Sequence, residues 1–431
     1  MPDLACGTQI LIAFGVAPRR VAWQHGKSPA PAKRIVLKTL SAVAAILASI
    51  FLLIAGNSLV GVLTPLRASL DGFPDLTIGL LGSAYFAGML AGTLVTPAIV
   101  RRAGHIRAFA AFVALAVVSV ILLPAQVSPL PWLILRGALG FVFAGIYAVT
   151  ESWINAKASN SNRGALYGAY QVVNFIASAS GQLLLRQFAA SSFLPFTLGG
   201  VLLALAIVPL SLTSVDPPAQ PKTVSLRLAW LVRLSPVAAA AALVAGAANG
   251  ASFALGPVYA LQIGMKPSAV PLFTAAVVLG SALGVYPAGR LSDRIDRRLI
   301  MAVAMTVGAV SEIALWSFPV PGATVIALGF VVGLTTYTLY TLAMSHANDR
   351  VKAHEMVVIS ATMLFLYCVG AIVAPALASL MMRWYGPSAL FAQGAILHAG
   401  IAAFALWRRA IDKREPLPAS GDVARPEPGL P

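Results

Sequence analysis

Apolar residues in this chain come in long, nearly unbroken runs, not in the alternating or one-faced patterns of soluble elements. Runs of about 20 residues, enough to cross a hydrocarbon core of about 30 Å, fall at roughly 39–63, 77–100, 107–125, 131–154, 164–186, 193–213, 235–261, 269–289, 298–318, 322–345, 355–382 and 387–408. Helix is the expected element in each, because an open sheet edge cannot be satisfied in lipid. The pattern predicts an all-α polytopic membrane protein with twelve transmembrane helices. It also divides the chain into a tail (1–38), a six-helix half (39–213), a linker (214–234), a second six-helix half (235–408) and a C-terminal tail (409–431).

Composition agrees. Of 431 residues, 59% are hydrophobic and 10% charged, with a mean hydropathy of +0.85, where soluble domains are about 25% charged. A net charge of +16 would on its own suit a nucleic-acid partner, but the positions of the charges decide otherwise. With the N-terminus inside, the inner segments carry 25 Lys and Arg, whereas the outer loops carry only Arg67, Arg186, Lys266 and Arg383. That asymmetry fixes orientation by the positive-inside rule. It predicts a multi-pass protein of the bacterial inner (plasma) membrane with both termini in the cytoplasm, and it leaves no role for nucleic acid. The opening stretch MPDLACGTQILIAFGVAPRR places its arginines after a short apolar run, the reverse of a signal peptide; a start further along the chain is the alternative reading of residues 1–34. Cys6 and Cys368 support neither a disulfide framework nor a thiolate metal site.

The chain also resembles itself at an offset of 192 residues. Asn57 matches Asn249, Pro65 matches Pro257, Gly88 and Gly92 match Gly280 and Gly284, and Arg102 matches Arg294. An even number of spans per half makes the two halves parallel repeats, the arrangement of secondary transporters that bind solute between two rocking bundles. A duplicated membrane scaffold without transport is the plainer alternative.

The loops at the two equivalent positions read PAIVRRAGHIRA (97–108) and GRLSDRIDRRLI (289–300). The second resembles the cytoplasmic loop pattern G-x-x-x-D-R-x-G-R-R of the major facilitator superfamily through Gly289, Asp293, Arg294, Arg297 and Arg298, with Asp296 where the family prefers Gly. The first departs further: Pro97 and Arg101 replace the Gly and the Asp, and Arg102 and Gly104 remain. LILRGALGFVFAG, with Arg136, Gly140 and Gly145, is similar to the family's fourth helix. RRAGHIRAF, TESWIN, GQLLL and HANDR look like a YcaD-like branch, to which some bacterial riboflavin importers are similar. The resemblance covers about 39–408. It implies the major facilitator fold, with spans 1, 4, 7 and 10 around a cavity and spans 3, 6, 9 and 12 at the periphery.

An ionisable group inside a span costs at least about 2.5–3.5 kcal/mol, so each needs a partner or a purpose. On span 4, Arg136, Gly140, Tyr147 and Glu151 share an arc of about 60°. The two charges stand about 22 Å apart along the axis and cannot pair directly. Glu151 is read as a coupling or gating carboxylate, or as an interfacial partner of Arg101 or Arg102. Arg136 is read as a substrate or coupling cation, or as a donor between helices. Span 5 carries a polar stripe, Tyr167, Gln171, Asn174, Ser178 and Gln182, suited to a wet cavity wall; helix–helix hydrogen bonding is the alternative. Asn57, Asn249, Tyr337 and Tyr340 complete the expected cavity. Glu312 and His398 fall on spans 9 and 12, where a structural role is expected.

The expectation is therefore a secondary active transporter, not an enzyme, working by alternating access on a small-molecule substrate in a lipid bilayer. It is expected to be monomeric, to use no cofactor and no metal, and to draw on a proton gradient. The inner charges (Arg101, Arg102, Gly289, Asp293, Arg294, Arg297, Arg298, Asp349, Glu355) would form a cytoplasmic latch, with Asp293 at the start of span 11 and Arg297 and Arg298 on Asp349 or Glu355. In the first half, Asn160 or Asn162 would cap span 5 instead. A cavity rich in aromatic and amide groups suits a neutral, planar solute. Span 5 lacks the Gly-Pro signature typical of drug–proton antiporters, which favours uptake by symport, with a vitamin such as riboflavin as the specific candidate. Efflux of hydrophobic drugs or metabolites by proton antiport is the alternative.

Overall fold

The computed structural model describes residues 30–158, 162–212, 226–352 and 355–412, with side chains from residue 43 onward. The described residues contain no strand. The long helices are α1 (Ala30–Leu70), α2 (Asp75–Ala103), α3 (His105–Leu122), α4 (Pro129–Lys157), α5 (Arg163–Leu184), α6 (Leu194–Ser211), α7 (Pro236–Gln262), α8 (Val270–Ser292), α9 (Arg297–Ser317), α10 (Ala323–Asn348), α11 (Met356–Tyr385) and α12 (Ala389–Asp412). α6 breaks once at Ala206 and α10 once at Tyr337. A short helix, Leu228–Leu234, leads into α7. Cys6, Asn160, the tail before residue 30, the first part of the linker and the C-terminal tail after residue 412 lie outside the described residues.

Eleven of these helices are long and apolar enough to cross a membrane. α5 is not among the eleven. Its 22 residues include the polar stripe, and those amides and hydroxyls lower its hydropathy. Local chemistry sets several starts. Ser235 accepts a hydrogen bond from the Ala238 N–H ahead of Pro236 in the first turn of α7, and Asp296 accepts one from the Arg298 N–H at α9. Asn162 stands at the start of α5 without a side-chain capping bond.

Lipid offers no hydrophobic drive for helices to associate, so close backbone approach through small residues holds them together. A Cβ on Gly88 would lie 1.9 Å from the Gly137 carbonyl oxygen, and one on Gly92 would lie 2.3 Å from that of Phe141, which brings α2 onto α4. The matching residues in the repeat do the same between α8 and α10. A Cβ on Gly280 would lie 2.0 Å from the Phe330 oxygen, and one on Gly284 would lie 1.9 Å from that of Leu334.

Contacts between the two halves of the chain run through α2 on α11, α2 on α7 and α5 on α8. They are tight at the end opposite the arginine-rich loops. There a Cβ on Gly79 would lie 2.5 Å from the Pro375 oxygen, and one on Gly82 would lie 2.3 Å from the Ala254 Cβ. Polar bonds close the same end. Gln262 donates to Asp75 at 2.8 Å, and Arg186 donates to the Ser268 carbonyl at 3.2 Å. Toward the arginine-rich end, Glu151, Gln171 and Ser360 are exposed.

A candidate solute cavity between the two halves

A cavity of about 310 Å³ lies between the halves. That is at the lower end of the range of about 300–1,000 Å³ typical of ligand pockets. Its wall takes amides from Asn57, Asn174, Gln182 and Asn249, and hydroxyls from α1, α5, α7 and α8. Aromatic rings come from both halves. No Asp, Glu, Lys, Arg or His is found among the described residues that line it.

The wall is ordered by its own bonds. Asn57 Nδ2 donates to Tyr85 Oη at 3.3 Å, and Ser58 and Ser178 hydroxyls join α1 to α5 at 2.8 Å. Tyr85 and Phe86 of α2 meet Phe253 of α7 with ring centroids 5.9 and 6.1 Å apart, an aromatic seam across the halves. Gly61 makes room for it, since a Cβ there would lie 2.8 Å from the tip of Phe253. Asn249, the residue 192 positions after Asn57, lines the same wall from α7.

Of the sequence-predicted cavity residues, Asn57, Tyr147, Asn174, Asn249 and Tyr337 line this space, whereas Arg136, Gln171 and Tyr340 do not. Arg136 is buried, 2% exposed, with its guanidinium 4.6 Å from the centre of the Tyr85 ring. The ring stands between the cation and the cavity, so the charge is felt through an aromatic face. Helical-wheel reasoning on α4 could not foresee a ring arriving from α2. Gln171 is an exposed residue further along the α5 stripe, and Tyr340 packs edge-on against Tyr367 at 5.3 Å. Glu151 accepts a hydrogen bond from Tyr170 at 3.4 Å, away from the cavity lining.

Sequence reasoning missed Tyr85, Phe86 and Met89 of α2, and Val277, Val278 and Ser281 of α8. These are equivalent trios at the same 192-residue offset that relates Asn57 to Asn249. The offset was the signal that could have found them.

The arginine-rich loop between α8 and α9 is organised by ion pairs inside the second half. Arg297 is bidentate on Asp349, at 2.6 and 3.2 Å, and reaches Asp293 at 3.2 Å. Arg298 and Arg409 both pair with Asp296 at 3.3 Å. Burial alone would raise the Asp296 pKa, but hydrogen bonds from Arg298 and the two guanidinium charges outweigh it and hold the carboxyl below its usual value. Glu355 accepts from the Lys352 N–H at 3.1 Å. Asp293, Arg294, Arg101 and Arg102 are exposed, and a Cβ on Gly289 would meet nothing within 4 Å. Away from both cavity and loop, His398 Nδ1 and Glu312 Oε2 lie 2.7 Å apart, fully buried between α12 and α9. No group of three or more His, Cys, Asp or Glu that could hold a metal occurs among the described residues.

The sequence model of the Major Facilitator Superfamily matches residues 46–278 and 239–429. The chain belongs to this superfamily. It is 29% identical over 350 residues to a protein described as an uncharacterized MFS-type transporter, YcaD, of Salmonella newport (strain SL254), covering 80% of this chain and 90% of that one. The Salmonella typhi relative matches to the same extent. Among solved structures, the chain is similar to the nucleoside transporter NupG, with a TM-score of 0.66, 11% identity, and coverage of 87% of this chain and 99% of that one. It is also similar to a bacterial homologue of the human lysosomal transporter Spinster in an inward-facing, occupied conformation, with a TM-score of 0.68, 14% identity and coverage of 90% and 98%. At those identities the likeness speaks for the fold.

Proposed function

We propose that this superfamily member is a secondary active transporter that takes up a small, uncharged, planar organic solute by alternating access, coupled to a proton gradient. In this reading the chain crosses the bacterial inner membrane twelve times as two parallel six-helix repeats, with α5 as the twelfth span and both termini and the arginine-rich loops in the cytoplasm. The structure is then an inward-facing form, shut on the outside by the packing of Gly79 and Gly82.

The observation that carries the proposal is the cavity between the halves, lined by amides, hydroxyls and rings and without a charged side chain. Such a wall favours a neutral solute with polar edges and a π-face, because a charged one would be desolvated there without a counter-charge. Riboflavin fits that description and is the first solute to test. The proposed proton carrier is Glu151, the carboxylate that α4 presents toward the inner mouth. The proposed latch comprises Arg101, Arg102 and the loop from Gly289 to Arg298, closing against the other half in the outward-facing form, with Asp349 and Glu355 holding the arginines in place.

Uptake into proteoliposomes under an imposed pH gradient tests the proposal. Riboflavin and other vitamins should accumulate when the gradient is inward, and Glu151→Gln should abolish the gradient's effect while leaving exchange intact. Accumulation driven in the opposite sense would instead establish efflux. Indifference of every transported solute to both the gradient and Glu151 would rule out coupling through that residue.

A further inference from the structure

Arg136 is a cation inside a span with no carboxylate to balance it. It is 2% exposed, and its Nε and Nη1 are buried without a hydrogen-bond partner. Among the described residues no Asp or Glu forms an ion pair with it. Glu151, the only carboxylate of α4, stands about 22 Å further along the axis. What the guanidinium does have is the Tyr85 ring, whose centre is 4.6 Å away. That placement is built by both helices. A Cβ on Gly140, one turn beyond Arg136, would lie 1.8 Å from the Tyr85 carbonyl oxygen, so α2 sits directly on α4 here. Asn57 Nδ2 donates to Tyr85 Oη, and the rings of Phe86 and Phe253 hold the phenol at centroid distances of 5.5 and 5.9 Å. Tyr85 in turn lines the cavity, so the cation sits one ring behind the wall.

A ring in that position blocks contact but not the field. It carries no net charge to cancel the guanidinium, a unit charge still acts across such a distance at an effective dielectric constant of about 20, and salt screens a buried charge far less than an exposed one. We infer that Arg136 is a charge filter: acting through Tyr85, it gives the cavity a positive potential that turns away cationic solutes. Tyr85 is the screen, withholding the charged hydrogen bonds that would hold an anion tightly in the cavity. Cations are repelled and anions find no donor fork, which leaves neutral solutes favoured. Both residues are thus specificity determinants, Arg136 without touching the solute. The inference rests on the transport reading only for calling the solute a substrate; the potential in the cavity stands without it.

The test needs no known substrate. A reporter cysteine is placed in the cavity wall, Ser252→Cys on α7 or Val278→Cys on α8, in the purified full-length protein with Cys6 and Cys368 replaced. Its rate of modification is measured with three methanethiosulfonates: sulfonatoethyl (anionic), trimethylammonioethyl (cationic) and methyl (neutral). Each rate is divided by that of a free thiol in solution. The anionic reagent should be favoured over the cationic one; equality, or preference for the cation, overturns the inference without depending on any further variant. Arg136→Met should lower the anion-to-cation ratio about tenfold or more and leave the neutral rate nearly unchanged, whereas Arg136→Lys should keep most of the ratio. A ratio that Arg136→Met does not move, in protein shown to be monodisperse, assigns the potential to other charges and overturns the filter. Tyr85→Leu uncovers the guanidinium and should raise the ratio further; no rise overturns the screening role of the ring. Failure of the neutral reagent to reach either cysteine would show that the cavity admits no solute, and the filter falls with it. Uptake in proteoliposomes is read separately: a filter without transport refutes transport alone, and transport without a charge preference refutes the filter alone.

Discussion

At the residue scale, the charges around the loop between α8 and α9 are held by their neighbours. Asp296 shows how. Its carboxylate caps α9 and receives both Arg298 and Arg409, and its pKa lies below the unfolded value. A group depressed in this way stabilises the fold fully above its unfolded pKa of about 3.9, and that stability is lost as pH falls through the folded value. Asp296→Asn should therefore destabilise the protein slightly at neutral pH, by less than about 1 kcal/mol because the pairs are solvent-screened, read as a small drop in melting temperature. The gap between variant and parent should close as the buffer is taken into the acid range; a constant gap would show that the carboxylate's charge is not what matters.

Glu312 and His398 behave differently because they are buried together at 2% and 0% side-chain exposure. Removing one partner strands the other, at a cost of about 3–5 kcal/mol. His398→Leu should destabilise the protein strongly, and adding Glu312→Leu should recover much of the loss; thermal unfolding in detergent reads both. The positions of these two residues gave no hint of the pair. They are 86 residues apart, and only the packing of α9 on α12 brings them together.

At the element scale, what the sequence revealed and what it hid have separate physical causes. Span positions were legible because lipid imposes a single length and a single polarity on every crossing. The stripe on α5 was legible because Asn174, Ser178 and Gln182 repeat on one helical face, and all three do line the cavity. Arg136 lies outside the cavity lining for the complementary reason. Its face of α4 was read correctly, but what covers that face is Tyr85, and single-helix geometry says nothing about a neighbour's ring. The glycines give a controlled test of packing at this scale. Gly88→Ala and Gly284→Ala would each force a methyl into a backbone carbonyl of the next helix, and should destabilise by about 1–3 kcal/mol. Gly168→Ala on α5, where a Cβ meets nothing within 4 Å, should leave the melting temperature unchanged. Equal effects at all three positions would disprove the packing role.

At the scale of the whole molecule, the two halves meet tightly at one end and leave residues of α4, α5 and α11 exposed toward the other. If the closed end must part for solute to enter, joining it covalently will arrest the cycle. Asp75→Cys with Gln262→Cys, in a background lacking Cys6 and Cys368, should lose uptake on treatment with a short thiol cross-linker and keep it untreated. Full uptake after quantitative cross-linking would mean that this end never opens.

The uncharged wall has an electrical consequence. A membrane potential does work only on charge that moves through it, about 2.3 kcal/mol per elementary charge for each 100 mV. A neutral solute passing through a cavity without ionised side chains carries no current of its own. If the proposed solute is neutral, a sustained current recorded on a solid-supported membrane when it is added would report the coupled ion and not the solute, and its size relative to solute flux would count the ions moved per turnover.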